Sequence, residues 1–261
     1  MNKWRLINAL TLAGMLVVNA LANSLPLNGK TTADISAAYP VLFTPAGYVF
    51  SIWGLIYLAL IGFTVFQALP AQSGNKRIDR IGGWFALANV LNTLWLFAWH
   101  WEVLWVSVLL MLGLLASLLV IYNRLEIGLH ERLSPQEQTL VDFPFSLYLG
   151  WISVATIANV SAALYASGWN GLGLADETWA IIMIGVTAIL GLLMIRRRNA
   201  FAYPVVLIWA LIGIRVRLDQ IASVGTAAAA AAFILLLYLV FRLLRARQLE
   251  FLRARGTRPT D

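Results

Sequence analysis

The sequence predicts an all-α polytopic membrane protein with about eight transmembrane helices. Three observations lead there. Hydrophobic residues make up 61% of the 261 and charged residues only 12%, about half the charged share of a soluble domain. Apolar stretches repeatedly approach the roughly 20 residues needed to cross a bilayer, and mean hydropathy is +0.78. Lysine and arginine also fall in alternate loops, as topology demands. Helices are then required, because lipid offers backbone groups no hydrogen-bond partners.

The predicted spans are 6–24, 47–69, 81–99, 103–122, 143–166, 179–195, 200–215 and 222–241. The first follows Lys3 and Arg5; its Ala20-Leu21-Ala22 imitates a signal-peptide cleavage site, but an uncleaved helix keeps the charge pattern of the whole chain consistent. A long polar loop, 22–40, leads to Pro45-Ala46-Gly47, the break that opens the second span. The segment PAQSGNKRIDR (70–80) separates spans two and three, and a tight hairpin near His100 joins three to four. A polar stretch, 123–139, precedes span five, and the Gly-rich loop 167–177 follows it. Span seven is short and soon reaches Arg215 and Arg217. Span eight carries the small-residue run Ala227–Ala232, suited to close helix packing.

With the N-terminus in the cytoplasm, the inner segments hold Lys3, Arg5, Lys76, Arg77, Arg80, Arg124, Arg132, Arg196, Arg197, Arg198 and the six arginines from Arg242 to Arg258. Only Lys30, Arg215 and Arg217 fall outside. This predicts a multi-pass protein of the cell membrane with both termini cytoplasmic. The net charge of +7 therefore reports topology, not nucleic-acid binding. The tail RLLRARQLEFLRARGTRP reads as a basic segment attracted to anionic lipid.

Most catalytic chemistry is excluded. No phosphate loop, nucleophile elbow or zinc-protease motif occurs, and the absence of cysteine removes disulfides and thiolate metal sites. The two histidines, His100 and His130, are expected in or near loops on opposite sides of the membrane, so they cannot share a metal. No span interior offers a carboxylate pair for acid–base work. No catalytic or metal-binding residue is assigned.

The spans carry Trp, Tyr and Asn instead. Trp53 and Tyr57 share a face at i,i+4. Asn89, Asn92 and Trp95 follow at i,i+3 steps in span three, with Trp99 a turn further. In span five, Trp151, Ala155 and Asn159 line up at i,i+4. A Trp above an Ala leaves room beside it, and an Asn one turn on supplies a donor and an acceptor. A flat aromatic ligand would fit by stacking on indole and hydrogen bonding at its edge.

Other residues read as structure. Trp4, Trp99, Trp101, Trp105, Trp169 and Trp179 are expected in the aromatic belt at the membrane surface. Ala158, Ala162 and Ala166 read as a packing face. Asn159-Val160-Ser161 matches a glycosylation sequon but lies within a span. Arg215 and Arg217 are expected to snorkel at the interface.

These motifs resemble the TspO/MBR family, the tryptophan-rich sensory proteins that include the mitochondrial translocator protein. The family's Pro-Pro-Gly break corresponds to Pro45-Ala46-Gly47, followed by Tyr48 and the Trp53-x-x-x-Tyr57 pair. Its Leu-Asn-x-x-Trp is matched by Leu91, Asn92 and Trp95, and its Trp-x-x-x-Ala-Thr-x-x-Asn by Trp151, Ala155, Thr156 and Asn159. The resemblance covers roughly residues 1–166 and implies a five-helix membrane bundle there. Residues 167–245 are then a three-helix extension and 246–261 a basic cytoplasmic tail.

The resemblance implies a binding or sensory protein for tetrapyrroles (porphyrin, haem) or similar planar hydrophobic molecules, linked to their transport or to stress signalling. The residues it points to are Trp53, Tyr57, Asn92, Trp95, Trp151, Ala155 and Asn159. Light-dependent porphyrin breakdown is credited to some members; no cofactor is required for binding. A multi-pass permease for a hydrophobic or anionic solute is the alternative, with Arg215 and Arg217 on its path. Expected partners are the planar ligand and membrane lipid, with a homodimer as an option and no nucleic acid.

Overall fold

A computed structural model describes residues 3–25, 27–129, 133–198 and 200–256, and of residues 23, 247 and 249–256 the backbone alone. His130, Arg132 and residues 257–261 of the basic tail lie outside the described residues. Among the described residues there are eight long helices: α1 (Lys3–Ser24), α2 (Ile52–Ala68), α3 (Trp84–His100), α4 (Leu104–Arg124), α5 (Phe143–Ala166), α6 (Asp176–Arg197), α7 (Ala202–Arg217) and α8 (Ala222–Gly256). No strand occurs among the described residues. Six of the helices are long and apolar enough to cross a membrane. The other two, α3 and α7, have 17 and 16 residues, about 25 Å of helix each. The protein is an all-α, multi-pass membrane protein.

Helices α1 to α5 close into a ring in the order α1–α2–α5–α4–α3, each packed on the next. Helix α7 docks from outside onto α5 and onto the turn that opens α2, and α6 and α8 pack against α7. Helix faces turned outward are apolar, with Leu58, Leu109 and Phe233 exposed, as lipid contact requires. Between α2, α3 and α5 lies a triangle of Phe63, Phe85 and Phe145, edge-on with ring centroids 4.9–5.5 Å apart. Such pairs contribute about 0.5–1.5 kcal/mol each beyond their area burial.

The structure differs from the predicted spans at several places, among them the start of α2, where Gly47–Ser51 is a 3-10 turn. Helix α3 starts at Trp84 because Gly82 takes a left-handed φ of 57° and Gly83 lies beneath the Trp4 ring, where a Cβ would come within 2.7 Å. Ahead of α5, Gln138–Asp142 forms a π-turn, so helical backbone begins before Phe143. Helix α8 runs to Gly256, past the predicted end at 241, so the start of the basic tail is helical.

The end of the ring that holds Arg5, Asp79, Leu125, Asp142 and Arg198 is its basic end. Arg77 pairs there with Asp142 and donates to the Leu125 carbonyl. Arg198 donates to Ile127 O and Asn123 Oδ1. At the opposite, hairpin end, α3 turns into α4 within three residues, with Glu102 in the left-handed region at φ 55°.

Candidate functional site

A cavity of about 30 Å³ lies inside the five-helix ring near its hairpin end. Four indoles wall it: Trp53 from α2, Trp95 and Trp99 from α3, and Trp151 from α5. They form one connected cluster. Trp99 lies on Trp95 at 5.9 Å and 19°, Trp95 reaches Trp53 at 6.5 Å, and Trp53 meets Trp151 edge-on at 6.2 Å and 84°. Phe50 packs edge-on against Trp151 at 5.6 Å. Ala155, Ala158 and Asn159 of α5 complete one side, and Pro45, Thr32 and Ser36 stand over it.

Helical spacing explains the wall. Trp151, Ala155 and Asn159 repeat at four residues, as do Trp95 and Trp99, so each set faces one neighbour. The small Ala155 and Ala158 leave the space that larger side chains would fill. At about 30 Å³ the cavity has room for one or two waters, far below the 300–1,000 Å³ of a small-molecule site. A planar ligand therefore enters only if indoles swing or the roof lifts.

Five of the seven predicted site residues line this cavity: Trp53, Trp95, Trp151, Ala155 and Asn159. Tyr57 and Asn92 do not. They belong to a buried chain beneath it, in which Tyr57 OH donates to Asn19 Oδ1 at 2.7 Å, Asn19 Nδ2 to Asn92 Oδ1 at 3.0 Å, and Asn92 Nδ2 to Tyr148 OH at 2.9 Å. This ties α1, α2, α3 and α5 together. Asn159 also differs from the expectation of a ligand-facing amide. Its Oδ1 accepts from Trp95 Nε1 at 3.0 Å and its Nδ2 donates to Ser107 Oγ at 2.8 Å. Asn89 likewise links helices, donating to Thr11 Oγ1.

Several sequence readings are corrected. Trp99 is 4% exposed and is a cavity wall, not a belt residue; its continuation of the Asn92–Trp95 face was the available signal. Trp101 and Trp105, by contrast, are 55% and 51% exposed. Ala158 lines the cavity and Ala166 is exposed, so of the alanine face only Ala162 is buried. His100 stands next to the hairpin, as expected, as the last residue of α3, and is fully buried, with Nδ1 2.7 Å from Leu96 O. Arg217, expected to snorkel, is tied to the protein: its Nη1 donates to Val41 O and Thr44 O, both at 2.9 Å.

The roof is a short loop helix, Thr32–Ala38, started by a capping box between Thr31 and Asp34. Those hydrogen bonds hold the Asp34 carboxyl below its ordinary range. The helix is fastened to the α3–α4 hairpin. Glu102 accepts from Lys30 Nζ at 2.6 Å and Tyr39 OH at 2.7 Å, Asn28 Nδ2 donates to His100 O, and Trp99 Nε1 to Thr32 O. The Lys30 hydrogen bond, then that of Tyr39, lowers the Glu102 pKa. Desolvation, then the Glu102 carboxylate, pushes Tyr39 up to about 12.

A depressed carboxylate contributes stability above its unfolded pKa, near 4.3 for Glu, and loses it as pH falls through its lower folded value. The contribution of the Glu102 carboxylate is thus complete at neutral pH and is lost in acid. Amide exchange in residues 30–39 is expected to rise as pH is brought below about 4, after correction for intrinsic rates, and to rise at neutral pH in Glu102→Gln. Unchanged protection in the variant would mean that Asn28 and Trp99 suffice.

Sequence reasoning also missed Phe50 and the role of α7. Ala46 N donates to Gly213 O at 3.1 Å, a bond that a second proline in the break would not allow. None of the curated proteins matches the chain, and none of the solved structures does. Residues 5–241 match the family described as TSPO-like protein, a stretch that runs past the first five helices and through α6, α7 and most of α8. With the match covering nearly the whole chain, this protein belongs to the TSPO-like family.

Proposed function

We propose that this multi-pass membrane protein binds a planar hydrophobic ligand of the tetrapyrrole class, such as porphyrin or haem, between its four indoles, in a sensory or carrier role. One observation carries the reading. Trp151 lines the cavity and is 2% exposed, and its buried indole N–H has no hydrogen-bond partner. A buried unsatisfied donor costs about 1–3 kcal/mol. Trp95, Asn159 and Trp99 of the same wall are paired inside the protein: Trp95 with Asn159, Asn159 with Ser107, and Trp99 with Thr32. A flat molecule with an acceptor at its edge would stack on the wall and satisfy Trp151. Its size requires the roof to open, and the loop helix is the part held mainly by side-chain contacts. The charge asymmetry supports a cell-membrane location with both termini cytoplasmic.

The permease reading puts Arg215 and Arg217 on its path, and of these Arg217 is engaged with backbone carbonyls. The test is fluorescence titration of detergent-solubilised protein with protoporphyrin and with haem. Trp151→Phe keeps most of the stacking surface and removes the donor. It is expected to weaken binding roughly tenfold, one hydrogen bond's worth, without lowering the thermal midpoint of the unliganded protein. Equal affinity in wild type and variant would refute the role of Trp151, and absence of saturable quenching would refute the ligand class.

A further inference from the structure

Residues 41–51 are the approach to α2, without α-helix, and they supply Pro45 and Phe50 to the cavity. Irregular backbone at membrane depth persists only where protein satisfies its polar groups. For this segment part of the satisfaction is local, with Thr44 N donating to Val41 O and Val49 N to Ala46 O, and the rest comes from α7. Arg217 donates to Val41 O and Thr44 O, Gly213 O accepts from Ala46 N, and Trp209 Nε1 donates to Val49 O at 3.3 Å. All four contacts reach main-chain atoms, so they fix the path of the chain and not one side chain. Trp209 also meets Tyr48 edge-on at 5.3 Å.

Two glycines bring the backbones this close. A Cβ on Gly213 would lie 2.2 Å from Val49 Cγ2 and 3.1 Å from Pro45 Cβ. A Cβ on Gly150 of α5 would lie 3.0 Å from the Tyr203 carbonyl of α7. Tyr203 OH further donates to Ser153 Oγ. Helix α7 is therefore wedged along α5, and its far end grips the segment that leads directly into Trp53.

We propose that α7 is part of the ligand site, with Arg217 as the positioning residue that sets where Pro45, Phe50 and Trp53 stand around the cavity. This rests on the ligand reading above for its binding consequence, but the placement of the segment is independent of any ligand. The last three helices then act together, α6 and α8 holding α7 while α7 holds the wall. The same grip accounts for Ala46 in place of a second proline, because it uses that N–H.

The experiment compares the full-length wild type with Arg217→Ala, Arg217→Lys and Gly213→Ala. Amide exchange is followed over residues 41–53 and, as an internal reference, over α3 and α4. Binding is followed with protoporphyrin as the probe. Arg217→Ala is expected to raise exchange in 41–53 at least tenfold while α3 and α4 stay protected, and to weaken probe binding about tenfold, since opening free energies read directly as exchange. Arg217→Lys, keeping a donor at the same carbonyls, is expected to restore part of both. Gly213→Ala, which keeps the charge, is expected to displace Val49 and weaken the probe; it covers the case in which Arg217→Ala fails to fold. Exchange in 41–53 indistinguishable from wild type in both Arg217→Ala and Gly213→Ala overturns the proposal. Raised exchange with unchanged probe affinity also overturns it, because the segment would then be held without consequence for the site. A wild type that binds no probe refutes the ligand reading alone, and the exchange comparison still decides whether α7 positions the wall.

Discussion

Arg5→Ala is expected to lower stability by about 3 kcal/mol, the largest effect foreseen for one side chain here. Arg5 is 5% exposed and gathers the loop at the basic end of the ring around one guanidinium. Its Nε donates to Asp79 Oδ1 at 3.0 Å, and its Nη1 to Gln67 O at 2.9 Å and Gln72 O at 2.8 Å. Its own carbonyl accepts from Gln67 Nε2. Removing one partner of a buried pair costs about 3–5 kcal/mol, because the other groups stay buried unpaired. The lower end applies, since the Asp79 side chain is 32% exposed and water can reach it. Arg5→Lys recovers only part of this, an ammonium being unable to reproduce the guanidinium fork. The measurement is a denaturation midpoint in detergent micelles for both variants. A midpoint for Arg5→Ala equal to wild type would mean that the loop finds other donors and that Arg5 serves only topology.

That residue marks where sequence reasoning stops. Lys3 and Arg5 both count towards the positive-inside pattern, and in composition they are alike. Only the folded ring shows that Arg5 is a buried clasp, because its partners lie 62 to 74 residues away. The helices themselves were legible, since apolar length and loop charge are local properties. The faces were legible too: i,i+4 spacing put Trp151, Ala155 and Asn159 on one side, and they line one cavity. What spacing cannot state is the partner opposite. Asn92 and Asn159 have the same residue type and similar apolar surroundings, and both end up paired inside the protein. Trp99 reads as a belt residue because it sits near a hairpin, yet the loop helix covers it. The grip of α7 on residues 41–49 had no local signal beyond Ala46.

Asn92→Leu is expected to lower stability by about 1–3 kcal/mol while leaving probe affinity within roughly threefold, a pattern opposite to that of Trp151→Phe. Leucine branches at the same atom as asparagine, so the shape is largely kept and the polar loss is isolated. Two hydrogen bonds go, to Asn19 and Tyr148, each contributing about 0.6–1.7 kcal/mol between helices in a membrane. The Tyr148 hydroxyl, on a fully buried side chain, is left without the donor it faces, at the cost of an unsatisfied group. Asn19 keeps Met15 O and Tyr57, which limits the damage to the α3–α5 side. Affinity is spared because Asn92 lies beneath the indoles and lines no part of the cavity. Thermal unfolding and probe titration of the same preparations separate the two roles. If Asn92→Leu abolished binding at an unchanged midpoint, the amide would be a ligand contact and the cavity would extend down to the Tyr57–Tyr148 chain. Loss of stability with binding retained would make the four indoles the binding surface and the asparagine chain its foundation.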